Sequence, residues 1–268
     1  MIARPLYAVL ERELVKLFRQ RGRLLSAMVR PLIWLFVIGA GFDALLDRGG
    51  PESYQYFLVP GVTGMAILFG AMLAALATVY DKESGVMRML IIAPLRHAWI
   101  VAAKALSAAC AALVQAALLL VLLGLLGYLS RGVDAPMLAT GLLATAAACA
   151  ALGMLVAAFT RTLDNYAVIM NLVIFPVFFL SGALYPVSTL PDPLRIAALL
   201  NPYTYGVDLL KHGMLANADS ALAPDFSPTL DLTVLGAFTL AALALACWRF
   251  SRDSAYEPLI HAIARRRD

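Results

Sequence analysis

Apolar residues fall into six long runs that are separated by short polar stretches. A bilayer core about 30 Å thick is crossed by about 20 apolar residues in a helix, so runs of this length predict membrane-spanning helices. The runs cover 25–46, 57–79, 100–129, 136–159, 166–184 and 229–248. The pattern predicts an all-α integral membrane protein whose six transmembrane helices form one domain at 25–248. Arg30 and Lys104 lie inside two runs, and we expect their long side chains to reach the membrane interface.

Two flanking segments and one internal segment are amphipathic or charged instead. Leucines recur at helical spacing within residues 1–24, which predicts a cytoplasmic amphipathic helix at the interface, either as a simple anchor or as a helix that moves with a partner. Residues 249–268 form a basic cytoplasmic tail. Between the second and third runs, four charges lie within residues 81–88, next to an apolar patch too short to span. This pattern predicts a short surface helix at 82–94, suited to a membrane protein that is pushed from the cytoplasm.

Prolines break the chain after the fifth run. A continuous helix over 185–215 is excluded by four prolines, although the stretches between them are apolar or amphipathic. These are Pro186, Pro191, Pro193 and Pro202. Two short re-entrant half-helices that dip back into the membrane from outside would explain this pattern, and an ordinary lid of loops is the alternative.

Composition and charge agree with a membrane protein. The chain is 62% hydrophobic and 14% charged, with a mean hydropathy of +0.82, whereas soluble domains are nearer half apolar and a quarter charged. Its net charge of +4 does not indicate a nucleic-acid partner, because the basic residues cluster at the ends of the runs next to lipid. Placing both termini in the cytoplasm leaves few basic residues outside the cell (inner) membrane. These are Arg48, Arg131, Arg195 and Lys211, so the positive-inside rule favours this orientation of a multi-pass protein.

Catalytic and metal-binding patterns are absent from the sequence. None of the four lysines follows a glycine, which excludes the usual phosphate-binding loop for nucleotide hydrolysis. The three histidines, His97, His212 and His261, have no zinc-like spacing. We therefore expect no catalytic residue, no metal and no cofactor bound by this chain. The runs also carry no carboxylate at mid-depth, which an ion-coupled carrier would normally need.

Three motifs occur in order along the chain: Arg30-Pro31-Leu32-Ile33-Trp34 in the first run, Glu83-Ser84-Gly85 followed by Ala93-Pro94-Leu95, and Phe179-Leu180-Ser181-Gly182 followed by Pro186 and Asn201-Pro202-Tyr203. Together they resemble the permease subunit of type-2 ATP-binding-cassette exporters, the group that includes drug, nodulation-factor and polysaccharide export permeases. The sequence departs from the family pattern at Val86 and Arg88, where threonine and an acidic residue are common.

The resemblance implies a transport subunit rather than an enzyme, working as a dimer with a second copy of itself. ATP and Mg would be bound by a separate cytoplasmic ATP-binding-cassette ATPase. The implied ATPase-coupling residues are Glu83, Gly85, Arg88 and Pro94. The candidate path residues are Phe69, Asn171, Phe175 and Phe178, and the outer gate would contain Ser181, Pro186, Asn201 and Pro202.

Three other functional classes stay open at this point. The chain could be an ion-coupled secondary carrier or a membrane-embedded enzyme, or it could anchor an ATPase without transporting anything. The sequence does not identify a substrate, although the sparse polar residues in the spans favour an amphipathic or lipid-like cargo over a long glycan.

Overall fold

The computed structural model describes residues 11, 15, 28–46, 54–86, 97–129, 132–215 and 224–264. The predicted interfacial helix at 1–24 lies outside the described residues except for Glu11 and Val15. Most of the predicted surface helix at 82–94, with Arg88 and Pro94, also lies outside them.

The described residues are helical with short connections, and no β-strand occurs among them. We number the helices in chain order: α1 Met28–Leu45, α2 Tyr54–Glu83, α3 His97–Leu125, α4 Ala135–Phe159, α5 Leu163–Phe179, α6 Asp192–Leu200, α7 Pro202–Met214 and α8 Pro228–Ala264. α1 contains a wider π-helical turn at Trp34–Ile38. The all-α prediction is confirmed.

Five of these helices are long and apolar enough to cross a membrane: α1, α2, α3, α4 and the Pro228–Arg252 part of α8. The chain is therefore a multi-pass membrane protein. α5 lies where the fifth span was predicted, but it has only 17 residues.

The helix at the fifth predicted run starts and ends at other residues than the run does, for identifiable reasons. α5 starts at Leu163, because the side chain of Thr162 accepts a hydrogen bond from Asn165 N and caps the helix. It ends at Phe179 rather than near 184, because a turn follows in which Gly182 adopts a left-handed φ of 73°. α8 continues to Ala264, so most of the predicted tail at 249–268 extends the helix that contains the last candidate span.

The core is built around α2, which packs against α3, α4, α5 and α7. A helix that is apolar on all sides belongs in a protein interior, and most of α2 is buried. Small residues allow close approach: a Cβ at Gly153 of α4 would lie 2.9 Å from the Cβ of Ala75 of α2. α7 is also almost entirely buried, against α2, α4 and α8. The short α7 therefore lies inside the protein rather than on its surface.

Candidate functional site

A buried ion pair fixes the last turns of α2 against α3. The carboxylate of Asp81 pairs with the ammonium of Lys104, and both side chains are at most 3% exposed. The expectation that Lys104 reaches the interface was wrong, because Asp81 offers a charged partner inside the protein. Burial of both charges is tolerated here because each neutralises the other.

The next two residues of α2 bind the junction between α4 and α5. Lys82 Nζ donates to Ala157 O at 2.8 Å and to Ala158 O at 3.1 Å, at the carboxyl end of α4 where the last carbonyls lack helical partners. Glu83 Oε2 accepts a hydrogen bond of 3.0 Å from Leu163 N, at the amino end of α5. We call Asp81, Lys82 and Glu83 the α2 clamp. It ties the end of α2 to α3, α4 and α5.

Gly85 turns the chain out of α2 toward the segment 87–96. Its φ of 77° lies in the left-handed region, and its N–H donates to Lys82 O at 3.2 Å. No heavy atom lies within 4 Å of a Cβ built at Gly85. Backbone conformation, and not lack of space, is therefore what favours glycine at this helix end.

The four candidate path residues differ in exposure. Asn171 and Phe175 are exposed on α5, and Phe175 is 44% exposed. Phe178 is buried one turn further along the same helix, and Phe69 is buried in α2. Of these four side chains, Asn171 and Phe175 are therefore the two that are accessible in a single chain.

Aromatic contacts join α1 to α5 beside these residues. The ring centroid of Trp34 lies 5.7 Å from that of Phe178 and 5.6 Å from that of Phe179, both in edge-to-face geometry. One turn before Trp34, the guanidinium of Arg30 lies 4.0 Å from the centroid of the Phe69 ring. The sequence motif that starts at Arg30 thus supplies contacts from α1 to both α2 and α5.

Three of the candidate gate residues lie at the joint between α5 and α7. Asn201 Nδ2 donates to Val177 O at 2.7 Å, and Asn201 Oδ1 accepts from Tyr203 N at 3.1 Å. Asn201 thus caps α7, whose first residue is Pro202, and satisfies a carbonyl near the end of α5. Ser181 Oγ donates to Phe178 O at 2.7 Å in the turn after α5.

The fourth candidate gate residue, Pro186, begins a separate short turn at Val187–Thr189. The preceding Tyr185 donates its hydroxyl to Phe179 O at 2.6 Å, and burial raises the pKa of this phenol. The backbone N–H groups of Val187 and Ser188 point at the carboxylate of Asp225, at 3.3 and 3.4 Å. Pro186 therefore contributes to the loop that leads to Asp225 rather than to the α5–α7 joint.

A group of charged residues that we did not predict lies between α7 and the start of α8. We call it the α7–α8 cluster, and it comprises Asp208, Lys211, His212, Asp225 and Asp231. Lys211 Nζ lies 3.0 Å from Asp225 Oδ2 and 3.8 Å from Asp208 Oδ1. Both Lys211 and Asp208 are 1% exposed. In the sequence this cluster is indicated by Asp208, Lys211 and His212, which lie in a short and otherwise mostly apolar segment. At this spacing the three side chains share one helix face.

Comparisons with known proteins agree on one family. The family profile described as ABC-2 type transporter matches residues 4–215. Nodulation protein J of Rhizobium leguminosarum bv. trifolii is 33% identical over 200 residues, which cover 72% of this chain and 74% of that protein.

More distant relatives carry the same or a related name. Nodulation protein J of Rhizobium leguminosarum bv. viciae is 29% identical over 198 residues, covering 72% of this chain and 74% of that protein. A protein of Porphyra purpurea named "Putative transport permease ycf38" is 25% identical over 224 residues, covering 81% of this chain and 76% of that protein. With its apolar helices, the chain belongs to the ABC-2 type transporter family and is a membrane permease subunit of an ATP-binding-cassette exporter.

Proposed function

We propose that two copies of this chain form a path through the cell (inner) membrane and that a separate cytoplasmic ATP-binding-cassette ATPase drives export through it. In this arrangement α5 is the sixth membrane-spanning helix, and both termini face the cytoplasm. ATP and Mg are bound by the ATPase chain and not by this one. The single observation that carries the proposal is the α2 clamp, which lies where the predicted coupling segment 82–94 begins.

The α2 clamp offers a physical route for mechanical coupling. A displacement of the coupling segment would be transmitted to α2 through the turn at Gly85. The hydrogen bonds of Lys82 would transmit it to the carboxyl end of α4, and that of Glu83 would transmit it to the amino end of α5. Packed helices move as rigid bodies, so a small displacement at the clamp would shift whole spans. In this proposal Glu83 and Gly85 do more than end α2, because they also transmit the displacement. Arg88 and Pro94 would contact the ATPase.

The exposed face of α5 supports the path and the dimer. Val168 and Leu172 are 67% and 71% exposed, and the polar Asn171 is exposed beside them. A carboxamide that faces hydrocarbon leaves its hydrogen-bonding groups unsatisfied, which is unfavourable. A second copy of the chain, or a substrate path between the two copies, would remove Asn171 from lipid. The mostly apolar face fits an amphipathic or lipid-like cargo.

The burial of α7 supports the re-entrant arrangement of 185–215. α6 and α7 are two short helices separated at Asn201-Pro202, and α7 packs among α2, α4 and α8 without the length to span. Backbone at membrane depth must be covered by protein, and α7 meets this requirement. The connection between α5 and α7 would then lie at the outer side of the membrane, where it contains Ser181, Asn201 and Pro202. Pro186 would lie in the neighbouring loop.

The proposal is tested by purifying the tagged chain from its own host in mild detergent and measuring recovery of the ATPase and its activity in vesicles. We expect an ATP-binding-cassette ATPase to copurify, and we expect Arg88→Glu to abolish its recovery. Glu83→Ala should uncouple ATP hydrolysis from transport, because the contact with α5 is lost. Glu83→Gln is the matched control, since its amide oxygen can still accept the hydrogen bond from Leu163 N, and it should retain coupling.

Two results would overturn the proposal. Transport by the purified chain alone, driven by an ion gradient, would identify a secondary carrier. An ATPase that copurifies but shows no substrate-dependent hydrolysis would identify a membrane anchor without a transport function.

A further inference from the structure

The α7–α8 cluster carries more negative than positive charge. It contains three carboxylates, and their side chains are at most 8% exposed: Asp208, Asp225 and Asp231. Lys211 supplies one positive charge, and it is shared between Asp225 and Asp208. With His212 neutral and the carboxylates ionised, the cluster has a net charge of −2. Uncompensated buried charge of this kind is strongly unfavourable, so the cluster needs a further cation or bound protons.

Asp231 is the member whose carboxylate receives no hydrogen bond. It is 0% exposed, neither of its oxygens accepts from a donor among the described residues, and its neighbour is the carboxyl group of Asp208. The residue lies in the first turn of α8, where the helix dipole favours a negative charge. Buried polar atoms are nearly always satisfied, so this carboxylate requires either a bound cation or a proton shared with Asp208.

Two other groups converge on the same point. Ligand atoms of Asp208, His212 and Asp231 all lie within 4.8 Å of one another. His212 Nε2 is 3.7 Å from Asp208 Oδ2 and 3.9 Å from Asp231 Oδ2. These separations are too long for hydrogen bonds. Two donor atoms that bind one zinc ion at about 2.1 Å in a tetrahedral site lie about 3.4 Å apart, so the observed separations are only slightly longer. His212 Nε2 also lies 2.9 Å from Phe226 O, a hydrogen bond in which the imidazole N–H donates, so binding of a cation at Nε2 requires the other tautomer, with the proton on Nδ1.

The backbone already orients one of these donors. Asp225 N and Phe226 N donate to the two oxygens of Asp208 at 2.8 and 3.0 Å. Such outer contacts are typical of metal sites, because they hold a carboxylate in one orientation while leaving lone pairs for the ion.

We propose that Asp208, His212 and Asp231 form a binding site for one divalent transition-metal cation, of the class that includes zinc. A single divalent ion would cancel the net charge of the cluster and bind the carboxylate oxygens of Asp231, which accept no hydrogen bond among the described residues. It would also join α7 to the start of α8, so its role would be structural. The expectation of no metal site rested on linear spacing, whereas these ligands come from two helices that meet only in the folded chain. The inference does not depend on the ATPase partner.

The test uses the full-length protein purified in detergent without chelator. Metal analysis of the wild type, together with zinc titration after chelation, should give about one zinc per chain. Asp231→Asn keeps the shape of the side chain but removes its charge, and it should weaken zinc binding at least tenfold. Asp192→Asn, an exposed carboxylate outside the cluster, is the matched control and should bind like the wild type.

A second measurement uses only the wild-type protein, so it does not depend on the folding of a variant. The thermal unfolding midpoint of the wild type should fall on chelation and recover on addition of zinc. No stoichiometric metal and no change of midpoint would overturn the proposal and would indicate that Asp208 and Asp231 share a proton instead. Full zinc binding by a folded Asp231→Asn variant would also overturn it.

Discussion

Removing one member of the Asp81–Lys104 pair should destabilise the protein far more than removing both. Asp81→Asn removes the carboxylate that pairs with the buried Lys104 ammonium, and Lys104→Met removes the ammonium that pairs with the buried Asp81 carboxylate. Both side chains are at most 3% exposed, so water cannot replace the lost partner without rearrangement. Breaking a buried pair in this way costs about 3–5 kcal/mol, whereas replacing both members by neutral groups is often close to neutral.

The assay is reversible unfolding of the purified protein in mixed micelles with increasing SDS, followed by tryptophan fluorescence. Each single variant should lose about 3–5 kcal/mol of unfolding free energy. The double variant should recover most of this loss, which gives a coupling energy of at least about 2 kcal/mol in the double-mutant cycle. A double variant whose loss equals the sum of the two single losses would show that the two charges do not stabilise one another, contrary to this prediction.

Three further predictions concern helix packing, each measured by the same unfolding assay. Phe178→Ala should cost about 3–5 kcal/mol because the ring is 1% exposed, whereas Phe175→Ala should leave stability unchanged and alter transport; equal stability losses would contradict this assignment of faces. Gly153→Ala should cost about 1–3 kcal/mol because its Cβ would meet Ala75. Gly236→Ala is the control, since nothing lies within 4 Å of its Cβ, and a similar loss there would exclude the close α2–α4 contact as the cause. Asn201→Ala should cost about 1–2 kcal/mol through loss of the α7 cap, and an unchanged midpoint would contradict that role.

The positions of the spans could be predicted from sequence because length and hydropathy determine which segments can cross a bilayer. Each of the six predicted runs corresponds to an apolar helix, and the break at Asn201-Pro202 separates α6 from α7 as the prolines indicated. The end of α5 was less predictable, since the apolar residues continue to Leu184 beyond the turn at Gly182.

Helix faces could not be predicted in the same way. α2 and α5 are apolar all round, so periodicity does not distinguish the buried Phe69 and Phe178 from the exposed Phe175. Lys104 was misleading for a related reason: the sequence shows a charge in an apolar run but not the carboxylate that receives it.

The α7–α8 cluster was missed because it depends on contacts between distant parts of the chain. Asp208 and His212 are one turn apart on α7, but Asp231 reaches them only when the start of α8 packs against that helix. Linear spacing of histidines and cysteines cannot reveal a group assembled in this way.

The most direct test of the account is photo-crosslinking from residue 88 in native membranes. A benzoylphenylalanine in place of Arg88 would be irradiated in cells, and the crosslinked peptides would be identified by mass spectrometry. We expect adducts with an ATP-binding-cassette ATPase, because residue 88 lies in the segment through which that ATPase should act. A correctly inserted chain that forms adducts at residue 88 only with proteins outside the cytoplasm would contradict the account.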